Sequence, residues 1–248
     1  MTRRALLPCL VIVWMMVSGA AWGQVGPWHK TVYDHLAAGD CKRAAESLRS
    51  ELAQPDGPVL LLAGWLSQWG HCIERSADNA WRFYERAHAA GEPSAALWLA
   101  GLAATSAGGA DVAAVLWWGR KTRGDRWIEI RDCDPAPGQP EVSEAAFVEA
   151  LTSWPQDKLL RCRNEVGYRA LVVAELIYPI QAIRRASQGV VGLTYDLHEA
   201  TVSVTPISQR VAPELLQHVE VVAKRAMLDM PRSPIPLVGR VELEFQLR

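Results

Sequence analysis

Residues 189–248 read GVVGLTYDLHEATVSVTPISQRVAPELLQHVEVVAKRAMLDMPRSPIPLVGRVELEFQLR, and the periodicity of this stretch sets the fold class. Val191, Leu193, Tyr195 and Leu197 share a face from which Thr194 and Asp196 point away. That period of two is what a half-buried strand requires. His198-Glu199-Ala200 makes a turn, after which Val202 and Val204 alternate with Ser203 and Thr205. Pro213 suits the first turn of a helix, where its missing N–H costs nothing. Leu215, Val219, Val222 and Ala226 then recur at helical spacing as an apolar stripe. Residues 230–236 are rich in proline, and a last strand follows. In it Val241, Leu243, Phe245 and Leu247 lie on one face, with Arg240, Glu242, Glu244, Gln246 and Arg248 on the other. One amphipathic helix against a small antiparallel sheet is an α+β unit.

The front half has a different pattern. From Thr31 to Thr122 it is helical and alanine-rich, and it carries an internal echo. Leu62-Ala63-Gly64 recurs as Leu99-Ala100-Gly101, 37 positions later, and Phe83-Tyr84 with Arg86 recurs as Trp117-Trp118 with Arg120, 34 positions later. Small residues on one helix admit a close neighbour, and the aromatic of the next helix fills the gap. A period in the mid-thirties with that alternation marks stacked helical hairpins. An earlier half-matching hairpin, Thr31 to Ala53, turns at Gly39-Asp40. Trp65, Trp69, Trp81, Trp98, Trp117 and Trp118 are read as core, since aromatics at helical spacing pack. The stretch resembles the Sel-like subclass of tetratricopeptide repeats, through Leu62-Ala63-Gly64, Ala80-Trp81-Arg82-Phe83-Tyr84-Glu85-Arg86-Ala87 and Ala89-Ala90-Gly91. That resemblance implies a concave surface for a protein partner.

Between the halves, Arg120 to Val142 is charged and then rich in proline and glycine, the strongest linker signal in the chain. Ser143 caps an expected helix from Glu144 to Ser153, with Phe147, Val148 and Leu151 on one side, ended by Trp154-Pro155. Leu159 to Leu176 allows two readings, a helix throughout or an extended end at Leu171-Val172-Val173. No tryptophan follows Trp154. The organisation expected is a signal or anchor at 1–23, a helical repeat domain at 24–130, a linker with one helix at 131–165 and a C-terminal domain at 166–248. The whole is α+β.

The order and spacing of the back half resemble the C-terminal domain of the TonB family, periplasmic energy transducers of Gram-negative bacteria. The residues that carry the resemblance begin with Tyr178-Pro179, Ala182, Arg184-Arg185 and Gly189-Val190. They continue through Ala223, Ala226, Pro231, Pro234, Pro236 and Gly239 to Phe245. The resemblance implies a β-β-α-β domain without catalysis, which grips an extended peptide of an outer-membrane transporter by adding it as a strand to a sheet edge. An exposed terminal strand offers unpaired N–H and C=O groups for that purpose. By resemblance, the partner-binding edge is Arg240, Val241, Glu242, Leu243, Glu244, Phe245 and Gln246. His198-Glu199-Ala200 replaces the family's usual Asp-Gly turn, and the helix exit lacks the usual aromatic. The family's anchor carries a serine and a histidine one helical turn apart. Here Ser18 is present, but the first histidine is His29, and a helical repeat stands where the family has a long proline-rich spacer. The expectation is therefore an exported adaptor more than a force transducer. A helical-repeat scaffold with no transport role is the alternative, and a hydrolase is a third.

Composition frames these expectations. The 248 residues are 50% hydrophobic and 21% charged, with 26 Lys+Arg against 27 Asp+Glu. A near-neutral charge argues against nucleic-acid binding, which needs a basic face, and against attachment to a membrane through a polybasic patch. Arg3-Arg4, the apolar run Leu6 to Val17 and Ala21-Trp22-Gly23 read as a secretory signal cleaved before Gln24. If it is uncleaved, Ala5 to Trp22 is an inner-membrane anchor. Export into an oxidising periplasm makes Cys41, Cys72, Cys133 and Cys162 a disulfide set. Cys41–Cys72 and Cys133–Cys162 are the pairing expected, each within one structural unit. Each bond is worth roughly 3–4 kcal/mol in the chain-entropy view. No C-x-x-C pair argues for zinc beside His71, and no cofactor is expected. No nucleophile-elbow, zinc-protease, phosphate-loop or dinucleotide motif occurs, so no catalytic residue is assigned. Asp132 and Asp134, flanking Cys133, are read as solvated loop acids. The partner expected is a protein or peptide in the periplasm.

Overall fold

Aspartate and serine caps set the helix starts of the front half. Asp40, Asp56, Ser76 and Asp111 each accept a hydrogen bond from a backbone N–H two or three residues ahead. That satisfies a donor the helix itself leaves unpaired. The computed structural model describes residues 31–245 apart from 33, 37, 123–130, 140, 177–187 and 210. The signal segment 1–23, Tyr178-Pro179, Ala182, Arg184-Arg185 and residues 246–248, Gln246 among them, lie outside the described residues. The front-half helices are α1 (Cys41–Glu51), α2 (Gly57–Trp69), α3 (Ala77–Ala89), α4 (Ala95–Ala104) and α5 (Val112–Lys121). Ser143 caps α6 (Glu144–Leu151), and the long α7 (Gln156–Glu175) follows. The back half is β1 (Gly189–Asp196), β2 (Thr201–Pro206), α8 (Pro213–Asp229) and β3 (Val238–Phe245). Among the described residues no helix is long and apolar enough to cross a membrane.

The α+β class expected from the sequence is present. The three strands form one antiparallel sheet in the order β2-β1-β3, so β1 is central. Val191, Leu193 and Tyr195 of β1 and Val241, Leu243 and Phe245 of β3 are buried, together with Leu215, Val219, Val222 and Ala226 of α8. Asp196 accepts from the N–H groups of His198 and Glu199 and so shapes the β1–β2 turn. Of the two readings left open for Leu159 to Leu176, the helix is present: Leu171 to Val173 belong to α7. One expectation needs correction, since Val148 is 38% exposed while Phe147 and Leu151 are buried. Of the tryptophans read as core, Trp98 and Trp117 are buried, while Trp65, Trp69, Trp81 and Trp118 are half-buried.

Helix α7 is the hinge of the architecture. It packs against α4 and α5 on one side and α8 on the other. All ten residues of α4 are consequently buried. A single apolar cluster runs from Leu97 through α5, α6 and α7 to Phe245 of β3. The boundary expected between residues 165 and 166 falls inside α7, which continues across it. The expected linker is likewise held on both sides. Cys133 is bonded to Cys162, and Arg120, its side chain only 6% exposed, binds Asp134 and the carbonyls of Ala136 and Gln139. The second bond is Cys41–Cys72, so both disulfides are the pairs expected. Two disulfides are consistent with an exported protein.

Close approach along α7 depends on three glycines. A Cβ at Gly101 would press on Leu171, one at Gly119 on Val166 and one at Gly167 on Ala104. On the sheet side the Tyr168 and Tyr195 rings lie 4.5 Å apart, and the Tyr168 hydroxyl donates to the Ala223 carbonyl at 3.2 Å. Tyr195 in turn covers Gly239, where a Cβ would strike its ring. Replacing Gly167 by Val overpacks the seam and is expected to lower stability by about 2 kcal/mol. Urea unfolding measures this, and an unchanged midpoint would contradict the seam.

Candidate functional site

Of the partner-binding residues expected from the sequence, Arg240 to Phe245 fall on β3, and the ladder fixes which of their backbone groups face outward. Within a strand, the N–H and C=O of one residue point to the same side. The Val190 carbonyl accepts from Ile207 N at 2.9 Å, so Val190, Gly192 and Thr194 face β2 while Val191, Leu193 and Tyr195 face β3. Their partners there are Leu243, Val241 and Gly239. The N–H and C=O of Arg240 and Glu242 therefore point away from β1. Side chains follow the opposite alternation. Arg240, Glu242 and Glu244 are exposed, while Val241, Leu243 and Phe245 are buried. Arg240 and Glu242 form an ion pair at 3.6 Å, both more than half exposed, which contributes little. Arg169 Nη2 lies 3.5 Å from the Arg240 carbonyl, at the outer limit of a hydrogen bond. Gln246 lies outside the described residues.

A second cluster was not visible in the sequence. Glu175 and Asp229 are the last residues of α7 and α8, where the helix dipole disfavours a negative charge. Glu175 Oε2 lies 3.6 Å from Arg225 Nη1, its side chain is 4% exposed, and its Oε1 has no hydrogen-bond partner. Asp229 Oδ1 lies 3.9 Å from Arg75 Nη2, and its Oδ2 is buried without a partner. The Arg225 guanidinium stands over the Trp69 ring at 5.5 Å, and Trp69 Nε1 is also unpartnered. Tyr84, fully buried, donates to Gln68 Oε1 at 2.8 Å. Burial pushes the Glu175 carboxyl up to about 7, with Arg225 opposing the rise and Asp229 adding to it. Burial also raises Asp229, against Arg75 and Arg225.

The chemistry open to this cluster is narrow. A cavity on its Asp229 side, lined by Gln68, Trp69, Arg75, Leu102, Thr105 and Asp229 among others, offers about 20 Å³ to a water. One water needs about 10–15 Å³ on that measure, so the cluster can hold or release a proton but does not admit a substrate. Asp134, one of the acids flanking Cys133, is engaged by Arg120 and the Ala136 N–H. Among the described residues no group of three His, Cys, Asp or Glu is placed to hold a metal ion.

The sign of the pH dependence follows from Glu175. Its folded value, about 7, lies above the ordinary 4.5, so between these limits the folded chain binds more protons than the unfolded chain. Stability contributed by neutral Glu175 is full below pH 4.5 and falls as pH rises to about 7, by roughly 3 kcal/mol. The Glu175→Gln variant is expected to lose most of this decline, leaving the smaller part due to Asp229. Urea unfolding at pH 5 and pH 8 checks it, and an equal decline in both proteins would contradict it. Comparison with known protein families, with curated proteins and with solved structures finds no match for this chain.

Proposed function

We propose that this chain is an exported cell-envelope protein that binds an extended segment of a partner by strand addition to β3. The observation that carries the reading is the sheet order β2-β1-β3, which among the described residues leaves β3 at an edge with the Arg240 and Glu242 backbone turned outward. Main-chain hydrogen bonds would supply affinity there, and alternating side-chain contacts would supply selection. The resemblance to the TonB C-terminal domain supports the same edge and makes an outer-membrane transporter the kind of partner to expect. The two disulfides fit an oxidising compartment outside the cytoplasm. A scaffold that binds through its helical half has less support, because α7 of the same chain covers α4. The exposed Arg240, Glu242 and Glu244 keep the edge from pairing indiscriminately.

Proline at position 242 separates these roles. Its missing N–H faces outward, so the ladder to β1 survives, whereas an incoming strand loses a donor and meets the ring. A photo-crosslinking amino acid at Arg240, in cells that make the protein, is expected to give a discrete protein adduct. Adding Glu242→Pro should abolish the adduct and leave the circular dichroism unchanged. An adduct that survives Glu242→Pro, or adducts formed only from exposed Arg82 on α3, would overturn the reading.

A further inference from the structure

We propose that the carboxylate cluster where α7 and α8 end is a proton-operated latch, closed when Glu175 is neutral and loosened when it is ionised. The inference stands apart from strand addition and needs no partner. Three ties hold the end of α8 to the helical half. Ser106 N donates to the Asp229 carbonyl at 3.1 Å, Arg75 Nη2 faces Asp229 Oδ1, and Arg225 lies over Trp69. Arg75 is itself fixed by its Nε donating to the Gln68 carbonyl at 3.1 Å. Glu175 sits beneath these ties without sharing in them fully. Among the described residues its ion-pair partner, Arg225, lies at 3.6 Å, and its second oxygen has no donor.

Each charged or titratable neighbour bears on the same balance. From α8 come Arg225, which favours the charged carboxylate, and Asp229, which opposes it. From α3 comes Tyr84, a buried hydroxyl already spent on Gln68. The α2–α3 turn supplies Arg75, which is engaged with Asp229 and 58% exposed. Helix α4 (AALWLAGLAA) supplies no ionisable group. An ionised carboxylate needs donors at both oxygens, and this site provides none for Oε1. Two ionised acids at the negative ends of two helices also repel. Ionisation is therefore relieved by drawing Arg225 off Trp69 and admitting water, which moves the end of α8 and breaks the Ser106–Asp229 bond. The position of Glu175 on the pH scale, about 7, puts the changeover near neutrality. The grip of α8 on the helical half would then follow the acidity of the surroundings.

The Ser106 amide is the natural reporter. Hydrogen exchange on the full chain between pH 5.5 and 8.5, expressed as protection relative to the intrinsic rate, reads the latch directly. In the wild type, Ser106 protection is expected to fall about tenfold or more with rising pH and to lie well below that of the Leu193 amide in β1 at pH 8.5, the mark of a local opening and not of global unfolding. In Glu175→Gln, Ser106 protection should stay high at every pH. The Glu175 side-chain carbon, followed by NMR in the wild type, should titrate with the same midpoint, which decides the matter even if the variant does not fold. Constant Ser106 protection, Ser106 protection equal to that of Leu193 at high pH, the wild-type pH dependence in Glu175→Gln, or a Glu175 midpoint unrelated to the Ser106 change would each overturn the proposal.

Discussion

The close approach of α4 and α5 to α7 is the contact on which the rest of the molecule depends. Gly101, Gly119 and Gly167 each lie inside a helix, where glycine costs about 1 kcal/mol relative to alanine. Their presence there is explained by what a side chain would strike: Leu171, Val166 and Ala104. Helices that approach this closely exclude water along the whole seam, and the transfer of apolar surface offsets the weaker helix propensity. The far side of α7 then carries Tyr168 and Arg169 to the sheet, where Arg169 Nε donates to the Tyr195 hydroxyl at 2.9 Å. Through this one helix, the helical layer and the sheet share an apolar core.

That sharing bears on what an edge strand can do. A strand that accepts a partner must already be held in register, or the partner has to supply the ordering free energy. β3 is held by β1 through eight paired positions and by the burial of Val241, Leu243 and Phe245. β1 is held by Tyr195 against Tyr168 of α7. The helical half thus acts as a brace for the sheet. The acid cluster lies at another place where the halves touch, and it joins the ends of α7 and α8 to the α2–α3 turn.

What was legible in the sequence followed from exposure on one face. β3 alternates from Arg240 to Phe245, and β1 does so from Leu193 to Tyr195, because one side is buried and the other is in water, so their faces could be named residue by residue. The cap Ser143 could be read for a local reason too. Helix α7 was ambiguous because it is buried on several sides: Cys162 to Asn164, Val166 to Tyr168 and Ala170 to Val172 all lack solvent. A helix wrapped that way loses its polar stripe and with it the 3.6-residue signal. The boundary expected at 165/166 leaned on the end of the tryptophans, a shift in composition that the packing does not respect. Even the echo of Gly64 in Gly101 hides a difference. Gly64 admits Tyr84 of the next helix, and Gly101 admits Leu171 of α7. Nothing local in the sequence marks Arg163, Asn164 and Glu175 as enclosed, although all three are buried. The outward direction of the Arg240 and Glu242 backbone depends on register with β1, which alternation alone does not fix.

Because every tryptophan lies at or before Trp154, fluorescence reports the helical half alone. Urea unfolding followed by that fluorescence, alongside hydrogen exchange of the Leu193, Val241 and Leu243 amides at each urea concentration, tests the shared core directly. The account predicts one transition, with tryptophan emission and sheet protection lost at the same midpoint. Sheet amides that exchange freely while the fluorescence is still native would show two independent halves and contradict it.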